Sequence, residues 1–298
     1  MSSSSSASQP SPRTLSQSAQ EYGRGVAGGL LFSLPLLFTS EVWWAAFAIH
    51  PLRLLFYVLN VGILLVLYNR FAGLRPSASW TECAIDSVEE MGIGLLLAAG
   101  VLWLLGQLTL PLSSLELVGK VVMEGMTVAL GVSIGTAQLG ASSDDKAEED
   151  NSEKDDDSII AQIAIAFCGA ILFVSNIAPT EEILMVALAA APLKLLFIAL
   201  LSLVLGGYLL YFAEFRGATQ TQDRIEIARG VFSSYAIALI ATAITLAFFG
   251  RFDGESLLTN INQTVVAGLA GSLGASGGRF LLQLNSNDSN SDSGDKHE

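Results

Sequence analysis

The chain reads as an all-α, polytopic membrane protein with about eight transmembrane helices in two tandem four-helix repeats. Three observations lead there. Hydrophobic residues make up 51% of the 298 residues and charged residues only 14%, whereas soluble domains carry roughly 25% charged residues. Apolar stretches near the roughly 20 residues that a helix needs to cross a bilayer recur along the chain. Finally, sliding the sequence by 141 positions without a gap superimposes residues 28–72 on 169–213 with 16 of 45 residues identical. The matches include Gly28/Gly169, Thr39/Thr180, Glu41/Glu182 and Pro51/Pro192, with Arg53 and Lys194 also in register.

In chain order, residues 1–20 are a Ser-rich tail expected to be disordered, because they lack the apolar content that offsets ordering entropy. Residues 21–140 form the first membrane repeat, 141–157 an acidic linker, 158–284 the second repeat and 285–298 a disordered acidic tail. The spans are expected at about 25–47, 52–70, 88–109, 117–139, 158–177, 187–212, 229–250 and 259–283. Arg24 followed by the apolar run Val26–Phe38 has the look of a secretory signal, but the same segment recurs in mid-chain, so it reads as a retained first helix. Between Glu41 and Pro51, and again between Glu182 and Pro192, a short apolar run is fenced by a carboxylate and a proline. Each is expected to be a half-helix that re-enters the membrane or part of a span bent at the proline.

The formal net charge of −13 is concentrated: Asp144 to Asp157 holds nine acids and two lysines, and 285–298 holds four acids and one lysine. With eight spans and an inside N-terminus, eleven Lys and Arg fall on the cytoplasmic side. Only Arg53, Lys120, Lys194 and Arg251 fall outside or within spans. The positive-inside rule then places both termini in the cytoplasm, and an even number of spans per half makes the repeat parallel. The last helix of each half is rich in Gly and Ser, with residues 129–135 meeting 272–278 at an offset of 143. Small residues four apart, Gly131/Gly135 and Gly274/Gly278, allow close helix packing in lipid.

Candidate functional residues cluster at the two fenced segments. Glu41 and Glu182 read either as caps at a helix start or as carboxylates below the interface, where ionisation costs about 2.5–3.5 kcal/mol and is retained for ion or proton handling. Thr39, Thr180, Asn176 and Glu181 are secondary ligands in that second reading. Pro35, Pro51, Pro179 and Pro192 break the helices and free carbonyls that suit hard cations. Lys120 and Glu124 form an i, i+4 pair in the fourth span, with Ala267 as the register partner of Glu124. Asp86, Glu89 and Glu90 are expected to cap the third span, and Asp223, Arg224, Glu226 and Arg229 the seventh.

Nothing in the sequence points to an enzyme. Gly131-Val132-Ser133-Ile134-Gly135 matches G-x-S-x-G, but that motif needs a strand–turn–helix context, and His50 is the only histidine outside the tail. No zinc-protease, Walker A or dinucleotide pattern appears, and the acidic linker lacks the mid-loop glycine of an EF-hand. Cys83 and Cys168 read as reduced structural residues. The expectation is no cofactor, no nucleic acid, and a lipid bilayer with an inorganic cation or proton as partners.

The run Gly-x-Leu-Phe-Ser-Leu-Pro-Leu from Gly29, Thr-Ser-Glu-Val-Trp-Trp from Thr39 and His-Pro-Leu-Arg from His50 resembles a bacterial integral membrane family, domain of unknown function 2391. The resemblance covers residues 20–284. It implies a multi-pass protein of the bacterial plasma membrane and no established activity. The residues themselves favour an ion or small-solute transporter or channel using paired carboxylates. The rival reading is a scaffold or sensor with a cytoplasmic acidic loop, and burial of Glu41 and Glu182 separates the two.

Overall fold

A computed structural model describes residues 15–73, 78–108, 113–140, 155–215 and 224–291. The expectations for 1–14, for the linker residues 141–154 and for 292–298 lie outside them. The described residues form ten α-helices: α1 Leu15–Leu37, α2 Ser40–Ala48, α3 Pro51–Ala72, α4 Trp80–Leu104, α5 Ser114–Gly140, α6 Asp155–Ser175, α7 Glu182–Ala189, α8 Pro192–Phe215, α9 Arg224–Phe248 and α10 Leu257–Ser291.

Proline sets several of these boundaries. Pro51 and Pro192 occupy the first positions of α3 and α8, where the missing N–H has no intrahelical partner to lose. Pro35 lies in the last turn of α1, which stops two residues later. The fenced segments are therefore the separate short helices α2 and α7, and α1 and α2 meet at 78°. The expected single span 25–47 is broken at Leu37, and 187–212 is divided between α7 and α8. Helix α4 starts at Trp80, eight residues before the expected start. Its Ser79 side chain accepts from Glu82 N while Glu82 accepts from Ser79 N, a reciprocal capping box. Helix α10 runs on to Ser291, through the first residues of the segment expected to be a disordered tail.

Close contacts give the helix directions. Gly25 meets Thr136, Gly28 meets Gly131 and Gly135, and Gly29 meets Val128, so α1 and α5 are antiparallel. Gly278 meets Ile165, Gly274 meets Gly169 and Gly271 meets Val174, so α6 and α10 are antiparallel too. Tyr57 bonds Thr127, and Asn69 bonds Ser133, both between α3 and α5, which run parallel. Ser202 with Ser272 and Gly206 with Ser276 show α8 parallel to α10. Thus α1, α4, α6 and α9 run one way and α3, α5, α8 and α10 the other. Helices α2 and α7 lie at one end of the bundle, here called the break end, together with Arg53, Lys120, Lys194 and Arg251. Arg24, Arg70 and Arg229 lie towards the opposite end.

Five helices are long and apolar enough to cross a membrane individually, α3, α4, α5, α8 and α9, and the bent pair α1–α2 makes a sixth. Eight spans of that kind are not reproduced. The described apolar part of α6, Ile160–Ser175, is short, and α10 carries Thr259, Gln263, Ser272 and Ser276, all buried. Helix α6 falls short on its described length, whereas the buried polar residues of α10 face other helices, where contact with lipid does not demand apolar side chains. Burial differs widely among the spans, from 78% of Ser114–Ala137 in α5 to 11% of Pro192–Leu209 in α8, which faces outward.

The core lies where the two halves meet, with Leu65, Leu130, Ile165, Leu172, Ala241 and Ala275 buried in one cluster. Trp80 and Trp103 are exposed near the two ends of α4, about 35 Å apart at the ~1.5 Å rise of a helix. That separation brackets a hydrocarbon layer of about 30 Å, as interfacial aromatics do.

Candidate ion-handling site at the helix breaks

Helix α1 ends because Pro35 has no N–H and its ring displaces the carbonyl one turn back. The side chain of Asn176, from the turn after α6, fills the gap. Its Oδ1 accepts from Leu36 N at 3.0 Å, and its Nδ2 donates to Phe32 O at 3.1 Å and Leu172 O at 2.7 Å. The amide thus bonds both the Leu36 N–H and the Phe32 carbonyl, the pair that a regular ladder would join. Pro35 and Asn176 are the two residues that coincide under the 141-residue shift. Sequence reasoning took Asn176 for an ion ligand; its hydrogen-bonding groups are committed to backbone.

The two threonines behave alike. Thr39 Oγ1 donates to Pro35 O at 2.7 Å and Thr180 Oγ1 to Ile177 O at 2.8 Å. The first satisfies a carbonyl in the last turn of α1 and the second one in the turn after α6, and neither α2 nor α7 has a side-chain cap at its N-terminus. Of the other helix-breaking residues, Pro179 is buried in this turn and Pro192 is exposed. His50 is exposed, and its Nδ1 accepts from Leu52 N.

Glu41 is half-buried and accepts from Ser40 Oγ at 3.1 Å, whereas Glu181 and Glu182 are exposed. The cation on which all three act is not among the residues singled out from the sequence. Arg251 lies in the turn after α9, where Gly250 takes φ 73° and Arg251 N bonds Leu246 O at 2.9 Å. Only glycine enters that left-handed region without strain. The turn aims the guanidinium at the α6–α7 break, where Nε donates to Ala178 O at 3.0 Å. Burial pushes the Arg251 guanidinium below its usual range, and Glu181, Glu41 and Glu182 push it back up. Gln263 Nε2 holds Arg251 O at 3.1 Å. The corresponding loop after α4 repeats the arrangement: Gly106 has φ 71° and Lys120 Nζ donates to Gln107 O at 3.1 Å.

Arg53, the register partner of Lys194, pairs with Asp253 at 2.7 and 3.2 Å. It holds that carboxyl below the usual range. Lys194 is exposed.

Two further carboxylates were underweighted. Glu90 was read as a cap, but it lies ten residues into α4. It is buried, accepting from Asn69 Nδ2 at 2.8 Å, while Ser133 Oγ donates to Asn69 Oδ1 at 2.9 Å. The stripe Cys83, Ser87, Glu90, Gly94 at helical spacing carried that signal. Ser133, the centre of the G-x-S-x-G match, is thereby occupied inside a helix, and Gly131 and Gly135 pack against α1. Glu124 is completely buried in α5. Its charge in an apolar run was visible, but the depth of its burial was not. Cys83 and Cys168 are buried and form no disulfide. Among the described residues no group of three His, Cys, Asp or Glu could hold a metal ion.

The sequence pattern of a family described as "Putative integral membrane protein (DUF2391)" matches residues 21–282. No curated protein and no solved structure matches the chain.

Proposed function

Because the chain belongs to that family of integral membrane proteins, we propose that it is an ion or small-solute transporter or channel built from two parallel four-span repeats. The observation that carries this reading is the place of Arg251, bonded to Ala178 O at the α6–α7 break and within electrostatic reach of Glu41, Glu181 and Glu182. These carboxylates come from the breaks of both halves, and against one fixed guanidinium they leave negative charge in excess at the mouth of the bundle. Such a mouth concentrates cations and raises their entry rate by factors of 10 or more. Asn176, Thr39 and Thr180 hold the breaks in shape in this reading and do not bind the solute.

The repeat reading is supported by the recurring order long, short, long, long, long, by the start of α3 and α8 at prolines 141 apart, and by the matched Gly106 and Gly250 turns. The break end is the outer face of a bacterial plasma membrane and both termini are cytoplasmic, which agrees with the positive-inside rule. A cysteine introduced within 141–154 then stays unlabelled by a membrane-impermeant thiol reagent in intact cells; labelling reverses the orientation.

Reconstituted liposomes test the function. Glu41→Gln and Glu182→Gln each lower cation flux, on the order of tenfold if the mouth concentrates the ion, while Glu116→Gln on α5 changes little. Flux at the wild-type level in both variants removes the carboxylates from the mechanism. The exposure of Glu181 and Glu182 favours one competing reading, a scaffold or sensor whose interfacial carboxylates and acidic linker meet a basic partner. Liposomes that carry correctly folded protein and show no flux for any small cation or anion support that alternative.

A further inference from the structure

Glu124 is the most enclosed carboxylate among the described residues. Its side chain has no solvent exposure, and neither carboxylate oxygen has a hydrogen-bond partner. The Trp43 indole N–H is the neutral donor that acts on this carboxylate, and it too is buried and stands outside hydrogen-bond geometry. Helix α2 closes over this part of α5: Val42 and Ala46 pack with Met123, and Gly119 touches Ala46 O.

The charged side chain that acts on Glu124 is Lys120, one turn earlier. It is engaged elsewhere, donating to Gln107 O and lying 4.9 Å over the Phe47 ring. From α3 the titratable group at this level is Tyr57, whose hydroxyl bonds Thr127 Oγ1 at 2.7 Å. Helices α1 and α2 contribute Leu36, Val42, Trp43 and Ala46; Ser33 of α1 is also buried, and its hydroxyl has no partner. The register position of Glu124 in the second half holds Ala267, which is fully buried as well, so the second half has no carboxylate there.

An ionised carboxylate without hydrogen bonds in such a place costs several kcal/mol. A metal cation would need about six oxygen ligands, and no acidic cluster accompanies Glu124. A proton needs only the carboxylate itself. We infer that Glu124 is a proton-binding residue of the membrane core, protonated at neutral pH and screened from the break end by α2. The inference is independent of the transport reading, because a proton site is measurable whether or not any solute crosses.

Infrared difference spectroscopy of the full-length protein in lipid nanodiscs tests it, with Trp44, Trp80 and Trp103 changed to Phe so that Trp43 reports on the same site. At pH 7 the spectrum contains the carbonyl band of a protonated carboxyl that is lost in Glu124→Gln and retained in Glu90→Gln, the control for the other buried carboxylate. Glu124→Asp shifts the band without removing it, which gives a reading even if the Gln variant fails to fold. Trp43 emission changes once as the band disappears at alkaline pH, and Glu124→Gln abolishes that change. A spectrum at pH 7 that is the same with Glu, Gln and Asp at 124 overturns the inference, as does a carboxylate band assigned to Glu124 at that pH.

Discussion

Replacing Asn176 by alanine removes the side chain that splints α1. Three backbone groups lose their partners: Leu36 N–H, Phe32 C=O and Leu172 C=O. Helix α1 cannot recover the first two by itself, since Pro35 keeps the chain from closing the regular ladder. An orphaned polar group costs about 1–3 kcal/mol. The site is only part-buried, so the lower figure applies to each group and the total is about 3 kcal/mol. At about 1.4 kcal/mol per factor of ten this shifts the unfolding equilibrium about 100-fold. Pro35→Ala supplies an N–H for Leu31 O and removes the ring that crowds that carbonyl, so the last turn of α1 can close and Leu36 N–H can turn to Phe32 O. The double variant Pro35→Ala/Asn176→Ala therefore recovers about 2 kcal/mol of the loss, and the coupling in the double-mutant cycle is of that size. Equilibrium unfolding of purified protein in mixed detergent micelles, followed by circular dichroism, measures all three variants. Asn176→Ala within about 0.5 kcal/mol of wild type, or a double variant whose loss is the sum of the singles, refutes the splint.

Helix packing gives a second expectation. A Cβ at Gly28 would stand 2.4 Å from Gly135 Cα and one at Gly169 would stand 2.2 Å from Gly274 O, so either Gly→Ala change forces helices apart and destabilises by about 1–3 kcal/mol. Gly92 and Gly277 have nothing within 4 Å, and alanine there is neutral or stabilising by up to about 1 kcal/mol in the same unfolding assay; equal effects at all four positions would contradict the packing. The ion pair of Arg53 with Asp253 predicts a pH effect. The Asp253 carboxyl is held below its ordinary range, so its stabilisation is complete above the unfolded value and is lost as pH falls through the lower folded value. The pair is exposed, so the effect is small and screened by salt. Thermal melts across pH 2–5 show it in wild type at low salt and lack it in Asp253→Asn; identical profiles would mean that the pair contributes nothing.

Much of the architecture was legible in sequence because it rests on local chemistry. The proline at the start of α3 and α8, the carboxylate in the first turn of α2 and α7, and the apolar length of α3, α4, α5, α8 and α9 are readable from a window of twenty residues. The short helices were visible as fenced runs, though not their angle to α1. The start of α4 was misplaced because Asp86, Glu89 and Glu90 were taken to mark a membrane boundary. Burial can place one of them inside: Glu90 shares its face with Cys83, Ser87 and Gly94 and turns towards Asn69.

Composition, periodicity and the shift by 141 residues determine by themselves that this is a helical membrane protein and that residues 28–72 and 169–213 share a common pattern. Tertiary structure decided which polar residues face one another. It placed Asn176 in the gap left by Pro35, set Arg251 against the α6–α7 break within electrostatic reach of the carboxylates of both breaks, paired Arg53 with Asp253 and enclosed Glu124 beneath α2. The physical reason is range. Helix formation and membrane insertion depend on residues within one segment, whereas the environment of a side chain depends on helices that may lie 70 to 200 residues away. The same carboxylate on an apolar helix becomes a rim charge or a buried acid according to which neighbour packs over it.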